Sequence, residues 1–152
     1  MKRLRTDDDT VEKDEEGESQ AQVARTVKVG ERMYDVLNRK DAGGQTHLHR
    51  AARNGELNTV KWLLDIGLDP NNKDNDGETP FYQAGLGYYS EIMKLLISAG
   101  ANVDEPDNQG PGNTILYYLA SFLHESDQED KWQMECVKVL VEAGANINLP
   151  EV

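Results

Sequence analysis

Apolar residues along this chain come in short clusters, separated by polar stretches punctuated with glycine. VKWLLDIG (60–67), MKLLISAG (93–100) and VKVLVEAG (137–144) share one layout, a helical-period apolar stripe that stops at a glycine. In ELNTVKWLLDIG (56–67), which contains the first of these, Leu57, Val60, Leu63 and Leu64 recur at three- and four-residue steps and predict one buried stripe of a helix ending at Gly67. Upstream, LHRAARNG (48–55) predicts a shorter helix ending at Gly55, where a left-handed residue is easy. Met33, Val36 and Leu37 fall on one face of another short helix.

The clusters repeat. Gly44, Gly77 and Gly110 are 33 residues apart. GQTHLHRAA (44–52) aligns with GETPFYQAG (77–85), and LDPNNKD (68–74) with ANVDEPD (101–107) and ANINLPE (145–151). A fixed period of this size marks a repeat architecture, in which each unit buries its apolar face only against its neighbours. The units are 42–74, 75–107 and 108–152. Unit two has Tyr88 where unit one has Gly55, with Gly87 one position early, so its inter-helix turn is expected to be remodelled. Unit three is stretched: Thr114 follows Thr79 by 35 residues, and Lys138 follows Lys94 by 44. The larger insert lies in HESDQEDKW (124–132) and is read as a lengthened first helix plus a loop.

The stretch NKDNDG (72–77) alternates oxygen donors before a glycine, as a calcium loop does. Such a loop needs a bidentate Glu at its twelfth position, and that position is Gln83. Thr79-Pro80 instead starts a helix, with a capping hydroxyl and a pre-organised first position. The stretch is read as a structural turn that belongs to the repeat.

These motifs resemble the ankyrin repeat: the 33-residue period, T-x-L-H or T-P-x-Y at the first helix, V-K-x-L-L, and G-A-N-V-D. The resemblance covers about 44–151. It implies an all-α fold: a solenoid of three helix–turn–helix repeats with β-turn fingers, the third carrying an insertion. Residues 26–41 are read as a degenerate capping segment, because VLNRKDAGG (36–44) aligns with DPNNKDNDG (69–77). The family's structural His is present as His49 alone, with Tyr82 and Tyr117 at the matching positions. The family's Pro is present as Pro80, with His47 and Ile115 elsewhere. Resemblance also implies the job, binding another protein on the surface made by fingers and first helices.

Composition narrows that job. The chain has 152 residues, 28 acidic against 16 basic, for a formal charge of −12. That balance argues against direct contact with nucleic acid or an anionic membrane and permits a protein partner with a basic surface. Residues 1–25, with the acidic run DDDTVEKDEEGE (7–18), are read as a disordered tail. KRLR (2–5) is read first as part of a solvated terminus and second as a nuclear-import patch. A single Cys, Cys136, allows no internal disulfide and fits a reducing, intracellular compartment, cytoplasmic or nuclear. Cys136 sits at a core position. His47 and His49 point different ways at a helix start and do not make a zinc pair. No phosphate loop, nucleophile elbow or placed base is present, so no enzyme, metal, cofactor or small-molecule substrate is expected.

Partner contacts are expected at the finger tips, from Gln45, Asn75, Asp76, Glu78, Asn108, Gln109 and Asn113. On the groove side of the first helices they are expected from Arg50, Arg53, Gln83, Leu86 and Tyr118. Tyr88, Tyr89 and Trp132 are weaker candidates. The leading function is an adaptor or regulator that binds a partner in the groove. Two alternatives are an acidic chaperone of a basic nucleic-acid-binding client and a scaffold subunit of a nuclear transcription or chromatin complex.

Overall fold

The computed structural model describes residues 32–110, 112–121 and 129–148. The chain divides into two units, Met1–Val36 and Leu37–Val152. In the first, only residues 32–36 are described, and they are helical. The expected tail and residues 26–31 of the expected capping segment lie outside the described residues.

The described residues of the second unit form six helices: α1 (His47–Asn54), α2 (Leu57–Ile66), α3 (Pro80–Leu86), α4 (Ser90–Ser98), α5 (Ile115–Ser121) and α6 (Glu129–Glu142). No described residue is in a strand. The helices pair as α1–α2, α3–α4 and α5–α6. The first helices pack α1 on α3 on α5, and the second helices α2 on α4 on α6. This two-row stack is what three copies of one amphipathic pair produce when each covers the next.

Equivalent residues fill the core. Leu63, Leu96 and Leu140 occupy the same place in successive second helices, and all are buried. Ala51, Ala84 and Leu119 do so in the first helices. Each buried leucine contributes about 2 kcal/mol by transfer from water. Cys136 lies in this core, and burial pushes its thiol up to about 11, with the Glu135 charge adding to the shift. It is packed as a small apolar group. The expected α2 stripe needs one correction: Leu57 is 42% exposed. As the first residue of α2 it borders a surface furrow with Lys61, Lys94 and Leu95, and Leu68 beyond the helix is the buried residue instead.

The turn of unit two is not remodelled. Tyr88 itself takes the left-handed conformation, at φ 60°, matching Gly55 at φ 75°. Gly87 stays right-handed, at φ −89°. The backbone bonds repeat one for one: Glu56 N–H to Ala51 O and Leu57 N–H to Gly55 O, then Tyr89 N–H to Ala84 O and Ser90 N–H to Tyr88 O. The packing of α3 on α4 thus holds the register against local preference. A left-handed non-glycine residue costs about 1 kcal/mol. Tyr88→Gly is therefore expected to raise stability by about 0.5 kcal/mol, net of lost side-chain contacts, read as a higher urea midpoint.

The third unit keeps the plan. α6 runs for 14 residues, against ten in α2 and nine in α4. Residues 129–132 of the insert thus lengthen the second helix, whereas the expectation assigned the whole insert to the first helix and a loop. Residues 122–128 lie outside the described residues. Buried Gln133 donates from Nε2 to Leu119 O and ties α6 to α5. On α6 the side chains of Trp132, Met134 and Val141 are exposed.

Candidate functional site

Three aspartates, 33 residues apart, build the fingers. Asp41 Oδ1 accepts from the amides of Gly43 and Gln45, both at 2.9 Å. Asp74 Oδ1 accepts from Asp76 N–H at 3.0 Å and Glu78 N–H at 2.9 Å. Asp107 Oδ1 accepts from Gln109 N–H at 2.8 Å. Across the base of each finger runs a backbone bond, from Asp41 to Gln45, Asp74 to Glu78, and Asp107 to Asn113. The two-residue insert of unit three is absorbed between the last pair. The alternating oxygens of 72–77 are therefore turn-forming groups.

Neighbouring fingers are stapled by asparagines. Asn75 donates from its backbone to Gly43 O and from Nδ2 to Ala42 O, both at 2.9 Å. One period on, Asn108 donates from its backbone to Asp76 O at 2.8 Å and from Nδ2 to Asn75 O at 3.3 Å. A Cβ on Gly77, at φ +78°, would sit 2.4 Å from the Asn108 carboxamide oxygen, so this close approach excludes any side chain. Asn75 and Asn108 remain exposed, but their amides hold fingers together.

His49 is fully buried between fingers one and two. Its Nδ1 accepts from Thr46 N–H at 3.1 Å and lies 2.9 Å from the Thr46 hydroxyl, while Nε2 lies 3.2 Å from Glu78 O. These partners fit the neutral ring with its proton on Nε2. Burial holds its pKa below the ordinary value, against the opposing pull of the Asp74 charge. His47 turns elsewhere, with Nδ1 3.0 Å from Leu37 O. In unit two the Tyr82 hydroxyl takes over the between-finger bond and donates to Asp107 Oδ2 at 3.0 Å. Burial and this bond raise the Tyr82 pKa. Tyr117, the third residue in the series, is 43% exposed.

A depression of about 510 Å³ lies between the second and third fingers and helices α3 and α5. It brings together six of the expected residues: Asp76, Glu78, Leu86, Gln109, Asn113 and Tyr118. Leu86, Asn113 and Tyr118 are half-buried in its wall. Tyr82, Asp107, Tyr117 and Ser121 complete it and were missed by sequence reasoning. Ser121 was within reach, since the 35-residue offset of unit three aligns it with Leu86. Asp107 stands one period after Asp74.

Gln83 requires a correction. It is 1% exposed, and its Nε2 donates to Asp74 Oδ2 at 3.4 Å and to Glu78 Oε2. It is a buried bracket between two finger carboxylates and faces no groove. Gln45 is half-buried and donates to the same Asp74 oxygen at 3.3 Å. Arg50 is exposed but borders a different depression, with Leu37, His47 and Trp62. Arg53 is exposed on α1. Tyr89 is 36% exposed, and its ring lies against Gly55 and Gly87, where an added Cβ would run into it.

Glu78 is crowded by the other carboxylates of the site. Burial comes first, then the charges of Asp74, Asp76 and Asp107, and together they push its carboxyl up to about 7, while Arg53 acts in the opposite sense. A carboxyl raised in the folded state stabilises the fold fully below its ordinary value, and that contribution is lost as pH rises through about 7. Glu78 is half-exposed to solvent, so screening reduces the effect to about 1 kcal/mol or less. Glu78→Gln keeps an acceptor for Gln83 and removes the charge. It is expected to raise the urea midpoint at pH 8 and leave it nearly unchanged at pH 5.

Among the described residues no helix is long and apolar enough to cross a membrane. A family model described as ankyrin repeats (3 copies) matches residues 23–74 and 48–151. The search of curated proteins returned no match.

Proposed function

This chain belongs to the ankyrin-repeat family, whose repeats are in general non-enzymatic protein–protein interaction modules, and we propose that it acts as an adaptor or regulator. Its partner protein binds along the finger side, across α3 and α5. The observation that carries this reading is the depression shared by units two and three, where Leu86 and Tyr118 stand among polar finger residues. An apolar and an aromatic anchor inside a polar rim is the arrangement that interface hot spots use. The excess of acidic residues speeds encounter with a basic surface.

The test compares three bait proteins: the full chain, a 26–152 truncation, and a full-length Leu86→Asp/Tyr118→Ala variant. Each is eluted over a salt series, and captured proteins are identified by mass spectrometry. One stoichiometric partner, retained by the first two at moderate salt and lost by the groove variant, supports the adaptor. Many basic proteins, released at modest salt and indifferent to the groove variant, would replace it with the acidic chaperone. That second reading rests on the 7–18 run and the net charge of −12.

A further inference from the structure

We propose that the depression between the second and third fingers is a receptor for an arginine side chain presented by the partner protein. The inference rests on the groove reading above and names the chemistry of its central contact.

Charge excludes most alternatives. Asp76, Glu78 and Asp107 all line the depression. Among the described residues the ion pairs are Lys73–Glu105, Lys94–Glu91 and Lys138–Glu135, and none touches it. Arg53 feels the Glu78 charge but makes no ion pair with it. The site therefore offers uncompensated negative charge, which repels phosphate and acidic peptides and attracts a cation.

The three carboxylates have different capacities. Asp107 is spent internally, with one oxygen on Gln109 N–H and the other on the Tyr82 hydroxyl. Glu78 uses Oε2 for Gln83 and keeps Oε1 open. The Asp76 carboxylate accepts nothing from the described residues, and its backbone is already fixed by Asp74 and Asn108. Two open acceptors thus stand on a rigid finger, two residues apart. These residues form no cluster able to hold a metal ion among the described residues. A larger cation, with its own donors, fits better.

The walls select among such cations. Tyr117, Tyr118 and Leu86 give the depression aromatic and apolar sides. A guanidinium is planar, stacks on aromatic rings, and forks its N–H groups between acceptors. A lysine ammonium is a compact, strongly hydrated point charge and gains less from these walls. The volume of about 510 Å³ is that of a small-ligand pocket, ample for one side chain and the backbone that carries it. The raised carboxyl of Glu78 agrees, because an arriving cation relieves the repulsion that raises it.

The test is an amide-shift titration of the full ¹⁵N-labelled chain by NMR. The probes are acetyl-Gly-Arg-Gly-amide and the same peptides with citrulline or lysine at the centre. Citrulline keeps the shape of arginine without its charge. The arginine probe is expected to give saturable shifts centred on Asp76–Glu78, Gln109 and Tyr118. The citrulline probe should bind at least about tenfold more weakly and the lysine probe several-fold more weakly. Asp76→Asn combined with Glu78→Gln should weaken the arginine probe about tenfold, whereas Glu91→Gln on the exposed face of α4 should not. Equal binding of citrulline or lysine would overturn the assignment. So would unsaturable shifts spread over the acidic surface, or equal losses from Glu91→Gln. If the probe fails while partner capture stays sensitive to Leu86→Asp/Tyr118→Ala, the receptor falls and the groove reading stands. If the probe binds as described but capture ignores the groove variant, the adaptor reading falls alone.

Discussion

Asp74→Ala is expected to cost about 3 kcal/mol of unfolding free energy, seen as a lower urea midpoint with an unchanged slope. The Asp74 side chain is nearly buried, yet it accepts four hydrogen bonds, from two finger amides and from Gln45 and Gln83. Bonds to a charged acceptor are worth more than neutral ones, and removing one partner leaves the others unpaired. Two terms reduce the total. The Asp76 and Glu78 amides lie near the finger tip and regain water, and Glu78 loses a repulsive neighbour. Asp74→Asn keeps the turn-forming oxygen and should cost about half as much. Asp41 accepts a similar pair of amides in the first finger, but its side chain is exposed, so its removal should matter less.

Gly85→Ala is the second large effect, expected to destabilise by about 2 kcal/mol in the same measurement. In a helix interior this exchange ordinarily gains about 1 kcal/mol. Here packing reverses the sign. Gly85 is buried in α3, and an added Cβ would come within 2.2 Å of Ile115 Cγ1 and 2.7 Å of its Cδ1. Either Ile115 leaves its buried place against α3 or α3 and α5 separate. The clash predicts strong coupling: Gly85→Ala combined with Ile115→Ala should cost less than the sum of the two singles, by more than about 1 kcal/mol. Simple additivity would mean that α3 and α5 do not meet closely at this point.

Most of the architecture was legible in the sequence. The 33-residue spacing and the recurring apolar blocks gave the helix pairs and their order, because each unit must bury the same stripe against its neighbour. The finger role of Asp74 was legible too, since the absence of a Glu at position 83 separates a turn from a calcium loop. The candidate site was legible only in part. Asp76, Glu78, Leu86, Gln109, Asn113 and Tyr118 do line one depression. Gln83 looked equally polar and equally placed, but it is buried, and its amide donates to the Asp74 and Glu78 carboxylates. Arg50, at the matching position of the first unit, is exposed. A repeat pattern assigns both residues the same face and cannot tell a middle unit from an outer one.

The turn of unit two shows the same division. Local preference favours Gly87 as the left-handed residue, and the sequence alone suggested a changed turn. Tertiary packing decided otherwise and put the strain on Tyr88. What the sequence by itself determined is the period, the helix pairs, the turn at 72–77 and the excess of negative charge. What only the tertiary structure decided is which polar groups are consumed in joining one unit to the next and which stay open to a partner. The physical reason is that periodicity encodes the faces of an isolated unit, whereas burial and hydrogen-bond pairing depend on the particular side chains that the neighbouring unit brings against them.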